Sequence, residues 1–145
     1  MVKLIICSFV VLFAQIRVAG ASDQHLPLVR FQGCYDGDTC TTTDAEKVRL
    51  ACIDAPELTQ RPRLRATRMS PTAYDNSSFE RSAGNLRALV SGRMVAIRRI
   101  TTDRYGRTVA ELFINDMNVG HQQVMTGHAV ISQEHAWQCA WASRS

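Results

Sequence analysis

The chain has 145 residues, 46% of them hydrophobic, with 17 Lys and Arg against 13 Asp and Glu. That length suits one domain built around one core. The net charge is +4, falling to +2 for residues 22–145, a balance too weak to imply nucleic-acid binding by itself.

In chain order, Lys3 precedes an apolar run from Leu4 to Ala14, and Ala19-Gly20-Ala21 offers an A-x-A cleavage site. This is the pattern of an export signal cut after Ala21. The run is shorter than the roughly 20 apolar residues a membrane span needs. A retained anchor is the alternative. Residues 22–145 then hold 14 Arg and one Lys against 13 acids, a net charge of +2. Arg offers a planar fork matched to phosphate oxygens, which Lys does not. Cys7 leaves with the signal, so Cys34, Cys40, Cys52 and Cys139 remain. An even number in an exported chain reads as two disulfides with three possible connectivities. A zinc site fits less well, because no C-x-x-C pair exists.

After a lead-in over residues 22–27, Leu28 to Tyr35 alternates as a strand and turns at Asp36-Gly37. Thr39 to Thr43 is a second strand with one wet face. Val48 to Ile53 is a third, with Val48, Leu50 and Cys52 on one face. Three antiparallel strands so close together form a meander. Residues 58–78 read as a long loop carrying Arg61, Arg63, Arg65 and Arg68, either solvated or in contact with a substrate. Phe79 to Val90 has apolar residues at helical spacing. Strands follow over Met94 to Ile100 and Thr108 to Ile114, with a turn at Asn115-Asp116. Asn118 is placed to cap a short helix from Val119 to Thr126 that Gly127 ends. Ala129 to Ile131 is a last short strand. His121, His128 and His135 recur every seven residues, but Gly127 prevents them from sharing one helical face. Five strands with a helix between the third and fourth is the order of an OB-fold, an α+β barrel that often binds nucleic acids.

Three motifs carry the chemistry: Asp36-Gly-Asp38-Thr, Arg49-Leu-Ala-Cys-Ile-Asp54-Ala-Pro-Glu57, and Asp103-Arg-Tyr-Gly-Arg107. Carboxylates can hold a hard cation, another can activate water, and two arginines can clamp a phosphate. In this order and spacing, with a helix before the last, the motifs resemble the staphylococcal nuclease (thermonuclease) family. The resemblance covers Leu28 to Ile131.

The resemblance implies a five-stranded OB-fold and a calcium-dependent nuclease. Asp38 and Asp54 match the family's calcium carboxylates, and Ala55 stands where a backbone carbonyl is a further ligand. Glu57 matches the proposed general base, and Arg49 and Arg107 match the phosphate-clamping arginines. Asp36 and Tyr105 match supporting positions, Tyr105 near a substrate phosphate or base. Gln133 and His135 stand where the best-known member has two nucleotide-contacting tyrosines. The chain ends at Ser145 without the family's terminal helix, a truncated C-terminal end. Trp137 and Trp141 occupy that tail and are expected to cap the core. Cys139 is expected to pin the tail to Cys52, with Cys34 joined to Cys40 across the first hairpin. The expected protein is a secreted or periplasmic monomer, free of the membrane after cleavage. Its expected activity is Ca2+-dependent hydrolysis of DNA and RNA, preferably single-stranded, at the bond to the 5′ oxygen, leaving 3′-phosphates. The rival is a noncatalytic OB module that binds single strands.

Overall fold

In the computed structural model, residues 25–58 and 77–143 are described. The signal segment and the arginines at 61, 63, 65 and 68 lie outside them. The described elements run β1 (Leu28–Val29), β2 (Phe31–Cys34), β3 (Thr39–Thr42), β4 (Lys47–Leu50), β5 (Ile53–Asp54), α1 (Ser77–Val90), β6 (Val95–Thr102), β7 (Thr108–Ile114), β8 (Met117–Asn118), α2 (Val119–Met125) and β9 (Val130–Ile131). A single 3-10 turn follows at Ala136–Gln138.

The main sheet has the order β1-β6-β7-β4-β3-β2, with β8 added to β7. Its two edges, β1 and β2, are halves of one extended run interrupted at Arg30, so the sheet curls into a nearly closed barrel. β2, β3 and β4 form the expected antiparallel meander. The closing contact is parallel: Val48, Arg49 and Leu50 of β4 pair with Thr108, Val109 and Ala110 of β7. The barrel and its two helices are the α+β OB-type fold that the motif order implied, with the first three strands shorter than expected and β6 reaching on to Thr102.

The third strand is the main correction. Instead of running straight through Ile53, the chain turns at Ala51-Cys52, where Cys52 takes φ 68°. Cys52 therefore does not share a face with Val48 and Leu50. It packs with Ala51, Cys139 and Ala142 in a small second core. The turn frees β5 to pair with β9, setting Ile53 opposite Ile131 and Asp54 opposite Val130.

Val48, Leu50, Ile97, Leu112 and Val119 fill the barrel, and α1 lays Leu86 and Val90 over them. Each such side chain contributes about 1.5–3 kcal/mol on burial. Asn118 caps α2 by accepting from the His121 amide, and Gly127 ends it at φ 72°. The structure carries disulfides Cys34–Cys40 and Cys52–Cys139. Disulfides of this kind point to an oxidising, extracytoplasmic environment. The tail aromatics divide. Trp141 packs on both cores and donates to Glu111 at 3.2 Å, whereas Trp137 is exposed and caps nothing. Among the described residues no helix is long and apolar enough to cross a membrane.

Candidate active site

The first acidic motif is a turn built by its own side chain. Asp36 Oδ1 accepts from the amides of Asp38 and Thr39, at 3.0 and 2.6 Å. That arrangement is an Asx turn and gives Asp36 a supporting role. Gly37 allows α1 to approach: a Cβ there would lie 1.7 Å from Ser82 Oγ and 2.8 Å from the Ala55 Cβ. The turn thereby directs Asp38 inward, where it is buried. Its Oδ1 accepts from Thr39 Oγ1 at 2.9 Å and its Oδ2 from the Ala55 amide at 3.0 Å. Burial raises the Asp38 pKa above the ordinary carboxylate value; Arg49 offsets this in part, and Asp36 adds to it.

Arg49 faces Thr39 across the β3–β4 ladder. Its guanidinium spans both predicted metal carboxylates, with Nη2 2.7 Å from Asp54 Oδ1 and Nη1 2.9 Å from Asp38 Oδ2. The first contact is a hydrogen bond. The second is an ion pair only, since the buried Nη1 makes no hydrogen bond of good geometry. Burial works against the charge on Arg49, but the two carboxylates outweigh it and raise its pKa.

The third motif is a tight hairpin turn with Gly106 at φ 77°. Asp103 accepts from the amides of Tyr105 and Arg107, and its Oδ2 takes Arg107 Nε at 2.7 Å. The Arg107 guanidinium sits 5.3 Å from the centre of the exposed Tyr105 ring. Glu57 is exposed three residues beyond β5. Glu57 and Arg107 both line two adjoining clefts. The larger, about 1120 Å3, also holds Arg49, Asp54, Tyr105, Gln133 and His135. The smaller, about 520 Å3, also holds Asp36 and Thr39. The predicted site residues thus converge from four chain segments.

Residues 47–140 match the family described as Staphylococcal nuclease homologue. The chain belongs to that family. A protein of Escherichia coli O157:H7 named "Uncharacterized endonuclease" is 31% identical over 118 residues, which cover 79% of this chain and 65% of that protein. One of the same name from Escherichia coli matches to the same extent. The chain therefore spans about two thirds of the length of these curated relatives.

As a member of the staphylococcal nuclease family, the chain can be tested for a calcium site. Among the described residues no three His, Cys, Asp or Glu side chains gather as a metal cluster. The three histidines separate: His121 stacks on Trp141, His128 meets Thr126, and His135 meets Ser132. Asp38 and Asp54 nonetheless lie close enough to share one cationic group, because one guanidinium contacts both. Two carboxylates within reach of one cationic group are oxygen donors that suit a hard cation completed by waters and a phosphate. The residues fit calcium.

Three supporting residues have no role readable from the motifs alone. Thr39 joins the two halves of the site, donating to Asp38 and lying 3.5 Å from Arg107 Nη1. Asp103 aims Arg107, and its position four residues earlier was the available signal. Gln123 of α2 holds the turn before Asp38 through the Gly37 carbonyl, a contact with no sequence signature.

Proposed function

We propose that this chain is an exported, calcium-dependent endonuclease that hydrolyses DNA and RNA with little sequence specificity and leaves 3′-phosphates. The observation that carries the reading is Arg49 held between Asp38 and Asp54, in a cleft that Glu57 and Arg107 also line. The family and the relatives' printed name, endonuclease, support it. The two disulfides and the apolar leader support export.

Asp38, Asp54 and the Ala55 carbonyl are the groups that would hold calcium, which when bound neutralises charge on phosphate oxygens. Glu57 takes a proton from the attacking water as its oxygen bonds to phosphorus. The bond from phosphorus to the 5′ oxygen breaks, that oxygen takes up a proton from solvent and leaves as a hydroxyl, and the phosphate stays on the 3′ oxygen. Arg49 and Arg107 donate to the phosphate oxygens, whose negative charge grows in the transition state. Asp103 fixes the Arg107 fork in advance, so little reorganisation remains at the moment of reaction. The enzyme acts as a monomer on single strands in preference to duplexes.

The test is incubation of residues 22–145 with single-stranded DNA, in calcium and in chelator, beside the Glu57→Gln variant. Fragments bearing 3′-phosphate are expected only from the unaltered protein in calcium. Equal degradation under all conditions would overturn the mechanism. Binding without cleavage in calcium would favour the noncatalytic OB module.

A further inference from the structure

The smaller cleft has no role in the chemistry just described, although it starts at the same two residues, Glu57 and Arg107. We infer that it is a second nucleotide subsite, in which Tyr35 stacks a base and Lys47 meets the phosphate beside it. The inference rests on the nuclease reading and deepens it, because an endonuclease must hold nucleotides on both sides of the phosphate it attacks.

The β3–β4 hairpin supplies the geometry. Along it Cys40, Thr42, Val48 and Leu50 are buried in the barrel, while Thr39, Thr41, Lys47 and Arg49 face outward. The register sets Thr41 opposite Lys47 and Thr39 opposite Arg49. The outer face therefore carries two cations in line, two residues apart on β4, at about 6.6 Å by strand rise. That is the scale of one step along an extended single strand. The Arg49 end lies at the acidic pair, and the Lys47 end lies in the smaller cleft. Beside them, on β3, Thr39 and Thr41 line the same cleft.

Tyr35 forms the other wall. Its side chain is 70% exposed, which leaves a large aromatic face open to a ligand. The ring is nevertheless held in place. It packs edge-on against Phe79 of α1, with centroids 6.3 Å apart and planes at 76°. Its backbone amide donates to the Thr39 carbonyl at 2.9 Å. A fixed aromatic beside a cation, in a groove tracking away from a phosphate-clamping pair, is the arrangement that single-stranded nucleic acids recognise. Base stacking tolerates any sequence, because every base presents a π face. The subsite therefore adds affinity without adding sequence preference.

The experiment measures binding of a labelled oligodeoxythymidine by fluorescence anisotropy in calcium, with the strand kept whole by Glu57→Gln. Tyr35→Ala is added to that background, with Tyr35→Phe as the ring-preserving control and Lys47→Gln as a second probe. Tyr35→Ala is expected to weaken binding roughly five-fold or more, and Tyr35→Phe to leave it within about two-fold. Lys47→Gln is expected to lower the salt dependence by about one phosphate contact. An abasic residue scanned along the strand should weaken binding to the Tyr35 protein at one more position than to Tyr35→Ala. Equal affinity of Tyr35→Ala and its parent would overturn the subsite while leaving the nuclease reading intact. No binding by the parent itself would overturn the nuclease reading, and the subsite with it.

Discussion

Gln123 donates its side-chain amide to the carbonyl oxygen of Gly37 at 2.8 Å, across a sequence separation of 86 residues. The same nitrogen also reaches the Ser82 carbonyl at 3.2 Å. One buried amide thereby joins α1, α2 and the turn before Asp38. Replacing Gln123 by Leu takes the donor from the Gly37 carbonyl and the acceptor from the Asn85 side-chain amide, each loss costing about 1–3 kcal/mol. A clear fall in the denaturant midpoint is expected, with nuclease activity falling in parallel. Gly37→Ala forces a Cβ against Ser82 and Ala55 and is expected to cost about 1–3 kcal/mol by overpacking. Unchanged unfolding curves for both variants would contradict this account of the turn.

Arg49→Lys keeps the charge but loses the fork that spans Asp38 and Asp54. Turnover on single-stranded DNA should fall about 100-fold or more, the usual loss for one donor to transition-state charge. Affinity for the uncleaved strand should change far less. A loss confined to KM would show that Arg49 binds the ground state only.

Asp103 tests whether an arginine must be aimed. Asp103→Asn keeps an oxygen for the backbone amides of the hairpin turn but removes the charged partner of Arg107 Nε. The expected result is a native circular dichroism spectrum with kcat lowered about ten-fold or more, matching the loss of a hydrogen bond to a charged group. If kcat survives while thermal stability drops, Asp103 serves the hairpin and not the site.

Glu46 governs part of the acid response. The Arg99 guanidinium grips both its carboxylate oxygens, and Thr108 Oγ1 adds a third bond at 2.8 Å. The bonds from Arg99 outweigh desolvation and hold its pKa below the ordinary 4.5. A carboxylate with a depressed folded pKa contributes stability that is full above its unfolded value and disappears as pH falls through the folded one. Glu46→Gln should therefore be less stable near neutrality, by about 1 kcal/mol or less for so exposed a pair. The two unfolding curves should converge as pH drops below about 4. A constant gap down to strong acid would show that Glu46 contributes packing and not charge.

The disulfides should contribute unequally. Cys52–Cys139 closes a separation of 87 residues and Cys34–Cys40 one of only 6. Loop-closure entropy favours the long bridge, at about 4–5 kcal/mol. The paired change Cys52→Ala with Cys139→Ala should lower the melting temperature well below that of the paired change at Cys34 and Cys40. Equal losses would mean that the native state, and not the unfolded chain, sets the contribution.

The site was legible in the sequence where local rules govern it. Strand alternation sets Arg49 outward between buried Val48 and Leu50, and Asp-Gly-Asp reads as a turn without any tertiary knowledge. Asn118 and Gly127 marked the ends of α2 for the same reason. The illegible parts depend on distant partners. Gln123 on a helix has the composition of a solvent-facing residue, and only the packing of α1 shows that it is buried. Cys52 adopts a left-handed backbone that no β-propensity predicts, because the turn serves the pairing of β5 with β9. Trp137 and Trp141 are chemically alike, and only the fold shows that Trp141 is half-buried against both cores while Trp137 is exposed.

The parallel seam between β4 and β7 has a last consequence. Arg49 sits within its three paired positions and Arg107 immediately before them, so the spacing of the two guanidinium groups is gauged by a ladder and not by chain length. The chain between those segments can change in length or sequence while the ladder keeps its register. A lineage carrying this fold is thus free to remodel its connections without shifting one arginine relative to the other.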